Sequence, residues 1–388
     1  MKAIYLDNSA TTPLGESVKR VMREAMELYG NPSSLHPIGN EAHTLLETAR
    51  RQIGETLGVR RLAAGELIFT SGGTEADNLA ILGCAYAKPR RRGMRVITTD
   101  SEHAGVENAM RALEADGFEV IRIRTKGGEL DWAQYAEALK GRVFLVSMMT
   151  VNNETGAMYD VKRAFSMAKA VSPEIVTHTD AVQAYLKIRF TPKSLGADLV
   201  TVSAHKIHGP KGVGALYVSP EAQKRRDLTA VLFGGGQEQG FRSGTENVIG
   251  IAGFGEAARI GYANLNESIE KMQSLRETAI RELGALELRF NLPNGAHAPH
   301  ILNLTLPNIR SETMLHELSR REICVSNGSA CSSHAKHPSS ALMAFGLSAA
   351  EADSSIRISF SAENTVEEVN ALASALREAL PRLVRVKG

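Results

Sequence analysis

The segment Val200-Thr-Val-Ser-Ala-His205-Lys206-Ile-His-Gly209-Pro210-Lys-Gly212 joins an apolar, β-branched run to a small residue, a histidine and a lysine, then breaks at Gly-Pro. The run reads as a buried strand, and the break as the turn that ends it. A lysine at the end of a buried strand is costly unless it is paired, neutral or covalently used. Lysine forms Schiff bases, and desolvation lowers its pKa enough to make it nucleophilic. Ser203 and His205 beside it suit an anionic group. A solvated lysine after a strand is the plain alternative, and this segment alone leaves both readings open.

Outward from this strand, short β-branched runs alternate with amphipathic helical stretches from about residue 14 to 255. Further strands are predicted at Leu67–Thr70, Arg95–Thr98, Glu119–Arg122, Val143–Ser147 and Ile175–His178, with helices such as 131–139 and 161–170 between them. That rhythm predicts an α/β fold with a mainly parallel sheet flanked by helices on both faces. Ligands of such sheets bind outside the carboxyl ends of the strands. A single long helical pattern over about 245–283 leads to a smaller α+β region. There, 301–306 and 355–359 read as strands and 365–383 as a closing helix. The division expected is a large domain over 14–255 and a small one from 1–13 with 256–388, the latter carrying a loop over about 326–340.

The chain has 388 residues and a formal net charge of +2. Its length favours two domains. Its charge gives no reason to expect nucleic acid or an anionic membrane as the main partner. The basic run Lys88-Pro-Arg-Arg-Arg92 reads as a solvated loop. The start reaches Asp7 too soon for a secretory apolar region, and no apolar run approaches membrane-spanning length. Three cysteines suit a reducing compartment rather than a disulfide framework, so a cytoplasmic location is expected. Cys84 and Cys324 lie in apolar surroundings and read as buried. Cys331 lies among small and polar residues, the composition of a mobile loop.

Polar clusters follow the other predicted strands. Ser71-Gly-Gly73-Thr74 opens a helix after Thr70, where free N–H groups and glycine suit a phosphate, although a plain glycine turn explains it as well. It lacks the Gly-Lys-Ser/Thr ending of a nucleotide P-loop. Glu102-His103 follows the next strand, and His103 suits either stacking on an aromatic ring or a polar helix cap. Asn152-Asn153-Glu154 makes a turn that also offers amides to an oxygen. Asp180, with Gln183 one helical turn on, suits a carboxylate that pairs with a pyridinium nitrogen, or an N-cap. Pyridoxal phosphate needs all of these parts together with a lysine.

In these motifs the chain resembles the cysteine desulfurases of the NifS/IscS type, in the class V aminotransferase branch of fold-type I pyridoxal-phosphate enzymes. The resemblance runs nearly end to end. It rests on Tyr5-Leu-Asp-Asn-Ser-Ala-Thr-Thr-Pro13, Gly30-Asn-Pro-Ser-Ser34, Thr70-Ser-Gly-Gly-Thr-Glu-Ala-Asp-Asn78, Glu102-His103, Val151-Asn-Asn-Glu154, Asp180-Ala-Val-Gln183, Ser203-Ala-His-Lys206, Arg242-Ser-Gly-Thr245, Ser329-Ala-Cys331 and Ser355-Ile-Arg357. It implies a seven-stranded-type sheet in the large domain.

The resemblance also implies residue roles. Lys206 would hold pyridoxal 5'-phosphate covalently, His103 would stack on its ring, Asp180 would pair with its ring nitrogen, and Gln183 would contact its phenolic oxygen. Gly73, Thr74, Ser203 and His205 would hold the phosphate, with Thr245 reaching in from the second subunit of a homodimer. Asn153 and Arg357 would bind the substrate carboxylate, with Asn153 near the phenolic oxygen too. Cys331 would be the nucleophile that takes sulfur from L-cysteine as a persulfide, releasing L-alanine, with His103 as an acid or base. No resident metal is expected beyond Cys331 as a transient ligand of an iron–sulfur cluster.

The persulfide would pass to an acceptor protein, an iron–sulfur scaffold or a tRNA-thiolation protein. Lys336-His337 stands where the family often has an acidic residue, and the chain ends soon after Leu383, so the acceptor stays open. Two other classes are weighed. Another fold-type I enzyme (a selenocysteine lyase, β-lyase or aminotransferase) differs in its need for the Cys331 thiol. A non-catalytic scaffold would have lost Lys206, His103, Asp180 or Cys331, and all are present.

Overall fold

The computed structural model describes residues 3–327 and 338–383. In chain order its strands are β1 (Ile4–Tyr5), β2 (Leu67–Thr70), β3 (Arg95–Thr99), β4 (Glu119–Ile123), β5 (Val143–Ser147), β6 (Val176–Asp180), β7 (Leu199–Ser203), β8 (Gly214–Val218), β9 (Arg289–Phe290), β10 (Ile301–Thr305), β11 (Ile323–Cys324) and β12 (Ser355–Ser359). Seven of them form one sheet in the order β2-β8-β7-β6-β5-β3-β4. β4, β3, β5, β6 and β7 run parallel, while β8 is antiparallel to both β7 and β2.

Successive side chains of a strand point to opposite faces, so a strand buried on both must be apolar throughout. Leu67, Phe69, Ile97, Val146, Val200 and Val202 enter one core. Their neighbours Ile68, Val96, Leu145 and Leu199 enter the core on the other face. Helices cover both faces, among them Gly73–Tyr86 and Ala104–Ala115 on one side. Fully covered parallel strands leave their carboxyl ends as the place where polar side chains gather.

A second sheet, β12-β10-β9, is antiparallel and backs onto a separate apolar core with the helices Leu265–Leu283, Ser311–Ser319 and Val366–Ala379. The N-terminus joins this core: β1 pairs in parallel with β11, and Leu6 is buried within it. The expected single helix over 245–283 is two helices, Val248–Ala263 and Leu265–Leu283, which meet at Asn264. No helix among the described residues is long and apolar enough to cross a membrane.

Two further expectations are corrected. Within Lys88–Arg92, Arg91 is buried and pairs with the buried Asp227 carboxylate, which Lys88 also reaches at 2.6 Å. Of its basic residues, only Arg90 and Arg92 are exposed, as the solvated-loop reading requires. Cys324, expected to be buried, is half-buried because it ends a two-residue strand beside the N-terminus. Cys84 is buried as expected.

Candidate active site

The carboxyl ends of β2, β3, β6 and β7 open on a cavity of about 130 Å³. Gly73, Thr74, His103, Asn153, Asp180, Gln183, Ser203, His205, Lys206 and Arg357, all singled out from sequence, line it. Ser9, Ala10, Asp77, Met149, Val151 and Val182 line it too, and sequence reading gave them no role. Asp77 and Ser9 do fall inside quoted motifs. Thr245 is exposed and is not part of this lining. Cys331 lies outside the described residues.

The helix Gly73–Tyr86 starts after a two-residue link from β2, and its first residues, Gly73 and Thr74, line the cavity, where a helix N-terminus offers free N–H groups. Residue 73 must be glycine, because a Cβ there would lie 2.8 Å from Val182 Cγ2. Opposite it, β7 ends at Ser203, whose buried hydroxyl has no hydrogen-bond partner among the described residues. A buried polar atom left unpaired is costly, and a ligand oxygen would repay it. His205 Nδ1 lies 3.2 Å from Thr11 Oγ1. Burial, followed by the charges of Lys206 and Lys211, pushes His205 down to about 4, so it is a neutral donor or acceptor at pH 7.

Lys206 follows in a tight turn over Ala204–Lys206. Its Nζ donates to the carbonyl oxygens of Ser9 at 2.5 Å and Ala10 at 2.7 Å. Gln183 donates through Nε2 to the same Ser9 oxygen at 2.9 Å. The N-terminal turn that supplies Ser9 is thus held against the strand end that supplies Lys206.

His103 bears out the helix-cap reading and also faces the cavity. It caps the helix Ala104–Ala115, its Nδ1 accepting from the Gly105 N–H at 3.1 Å, and its ring also lines the cavity. Asp180, at the end of β6, likewise caps locally, accepting from the Val182 N–H at 2.9 Å, while remaining in the lining. Ligand atoms of Asp77, His103 and Asp180 lie within 4.8 Å of one another.

Burial raises the pKa of both aspartates, and each is a like charge to the other. The nearby His103 and Lys206 charges pull Asp180 back down, whereas Asp77 gains no such cation. With two cations beside it, Asp180 is the better placed of the pair to carry a charge. Glu102, behind them, is pushed up to about 8, mainly by burial. Its Oε1 accepts from Thr99 Oγ1 at 2.6 Å and the Met149 N–H at 3.0 Å.

Arg357 enters from β12 of the second sheet and is 1 % exposed. It donates to the Asn153 carbonyl oxygen and to Asp7 Oδ1, both at 2.8 Å, while its Nε has no partner. A buried guanidinium with donors to spare suits a carboxylate.

The groups present fit pyridoxal phosphate: an amine at the strand end, an unpaired hydroxyl beside a helix N-terminus, and a carboxyl group across the cavity with two cations near it. Comparison with known proteins agrees. The aminotransferase class-V family matches residues 4–372. The cysteine desulfurase IscS of Dictyoglomus turgidum is 36% identical over 386 residues, 98% of this chain and 95% of that protein. The cysteine desulfurase IscS of Pectobacterium carotovorum is 38% identical over 388 residues, 98% and 93% of the two. Among solved structures, a NifS-like protein matches with a TM-score of 0.90 at 35% identity, covering 98% of this chain and 100% of its own. SspA in complex with cysteine matches with a TM-score of 0.79 at 32% identity, over 93% and 99%.

Proposed function

The chain belongs to the aminotransferase class-V family, and we propose that its activity is that of a cysteine desulfurase, which takes sulfur from L-cysteine and releases L-alanine with pyridoxal phosphate as cofactor. The observation that carries this reading is the meeting of Lys206, Asp180, His103 and the unpaired Ser203 hydroxyl around one cavity, in a chain so similar to named desulfurases.

Bound there, the cofactor supplies an electron sink that weakens bonds at the α- and β-carbons of an attached amino acid. Lys206 would anchor the cofactor and serve as the amine that carries the α-proton on Nζ. Asp180 would pair with the ring nitrogen. Gly73, Thr74, Ser203 and His205 would hold the phosphate, joined by Thr245 of the partner subunit. His103 would cover the ring, and Gln183 and Asn153 would contact the phenolic oxygen. Arg357 and Asn153 take the substrate carboxylate, and so fix which bonds face Lys206.

The Cys331 thiolate attacks the substrate sulfur. The sulfur–sulfur bond forms as the bond from sulfur to the β-carbon breaks, and its electron pair stays with that carbon. Protonation there yields alanine and leaves a persulfide on Cys331, with His103 as the proton carrier within reach of the cavity. The persulfide then needs an acceptor protein, an iron–sulfur scaffold or a tRNA-thiolation protein. A homodimer belongs to this reading because the family resemblance places Thr245 across a subunit interface, and Tyr29, Leu35 and Phe233 are exposed apolar side chains, 82%, 94% and 83% accessible in the single chain. The sparse cysteines support a cytoplasmic setting.

Replacing Cys331 tests the nucleophile. The Cys331→Ala protein is expected to bind the cofactor normally and to lose at least about a hundredfold in release of alanine from cysteine. Turnover at the wild-type rate would sink the assignment.

A further inference from the structure

His300 precedes β10 and is fully buried. Its Nε2 lies 3.3 Å from Oε1 of Gln183, 117 residues away in the chain. The other end of that amide donates to the Ser9 carbonyl oxygen, which also receives Lys206 Nζ. A carbonyl oxygen only accepts, so the Gln183 NH2 group faces Ser9 and its oxygen faces His300. That oxygen only accepts as well, so His300 carries its proton on Nε2. Nδ1 is then a bare acceptor, and it is the ring nitrogen found buried without a hydrogen-bond partner among the described residues. Burial, followed by the charges of Lys187, Arg357 and Lys206, holds the ring neutral, well below its ordinary pKa. One N–H of Gln183 remains uncommitted, and Gln183 lines the cofactor cavity.

We propose that His300 is a positioning residue: by gripping Oε1 it fixes the plane of the Gln183 amide and presents the remaining N–H to the phenolic oxygen of the bound cofactor. The inference rests on the role proposed above for Gln183. Held at Ser9 alone, the amide could swing about its broad terminal torsion and turn its oxygen into the cavity. A second contact at the opposite end removes that freedom. His300 touches neither substrate nor cofactor, so its effect passes through Gln183.

The test uses the loaded enzyme and follows its visible cofactor absorbance as a function of pH. A hydrogen bond donated to the phenolic oxygen favours the more negative form, so losing it raises the titration midpoint. His300→Leu is expected to raise the midpoint by about half a unit or more, and Gln183→Ala at least as far. The double variant should move no further than Gln183→Ala, because both act through one contact. His300→Gln, which restores an N–H donor, should return the midpoint toward wild type. His300→Phe fills the space if leucine does not fold, and should behave as His300→Leu.

A wild-type midpoint in folded His300→Leu or His300→Phe, with Gln183→Ala shifted, overturns the positioning role and leaves that of Gln183 standing. Additive shifts in the double variant overturn it as well. An unmoved midpoint in Gln183→Ala overturns the role of Gln183 and the inference with it.

Discussion

At the scale of single residues, the site turns on which buried acid carries charge. Asp77 and Asp180 line the cavity with Glu102 behind them, and three anions cannot share so dry a space. Burial raises Asp180, and the His103 and Lys206 charges near it pull it back toward the ionised form. Glu102 is mostly neutral at pH 7, having been pushed up to about 8. Its folded pKa lies above its unfolded value, so between about pH 4.5 and 8 the folded state binds more protons and stability falls as pH rises. Glu102→Gln keeps an oxygen for Thr99 and Met149 and removes the titration. The stability of the variant relative to wild type should therefore climb across that window and level off above it, as read by urea unfolding at a series of pH values. A difference flat with pH would show that Glu102 is ionised in the folded protein.

At the scale of elements, the strand ends were legible because a parallel sheet leaves polar side chains nowhere else to go. Lys206, Asp180, His103 and Gly73 could be placed at one crevice from the order of runs and turns alone. β8 was not legible: Gly214-Ala-Leu-Tyr-Val218 follows the Gly-Pro break directly, and only its antiparallel pairing between β7 and β2 completes the sheet. Asp77 and His300 escaped notice for a related reason. A helical aspartate and a histidine before a strand carry no local signature, and their neighbours come from distant strands. Arg91 was misread because a basic run normally faces water, and its partner Asp227 lies 136 residues away. Removing Arg91 strips a hydrogen-bonded cation from a buried carboxylate that keeps Lys88 and Arg225. Arg91→Ala should cost about 3 kcal/mol in chemical denaturation while leaving cofactor absorbance unchanged. A loss under about half a kcal/mol would mean that this pair only offsets its own desolvation.

At the scale of the molecule, the site draws on two cores. The large sheet supplies Lys206, Asp180 and the phosphate cradle, and the smaller sheet supplies Arg357 through β12. Arg357 bonds the Asn153 carbonyl from the large sheet's side and Asp7 from the N-terminal segment, so it ties the two together at the point where a substrate carboxylate would sit. On the proposed reading the arrangement orients an amino acid, and Cys331 would supply the thiol that makes the reaction a desulfuration.

The most direct test is the mass of the cofactor-loaded protein after incubation with L-cysteine, read at the peptide containing Cys331 and alongside released alanine. The account predicts a gain of one sulfur atom on that peptide, removed by reductant, with alanine formed in equal amount before any acceptor is added. Alanine released with no sulfur on Cys331, or sulfur carried on Cys84 or Cys324 instead, would contradict it.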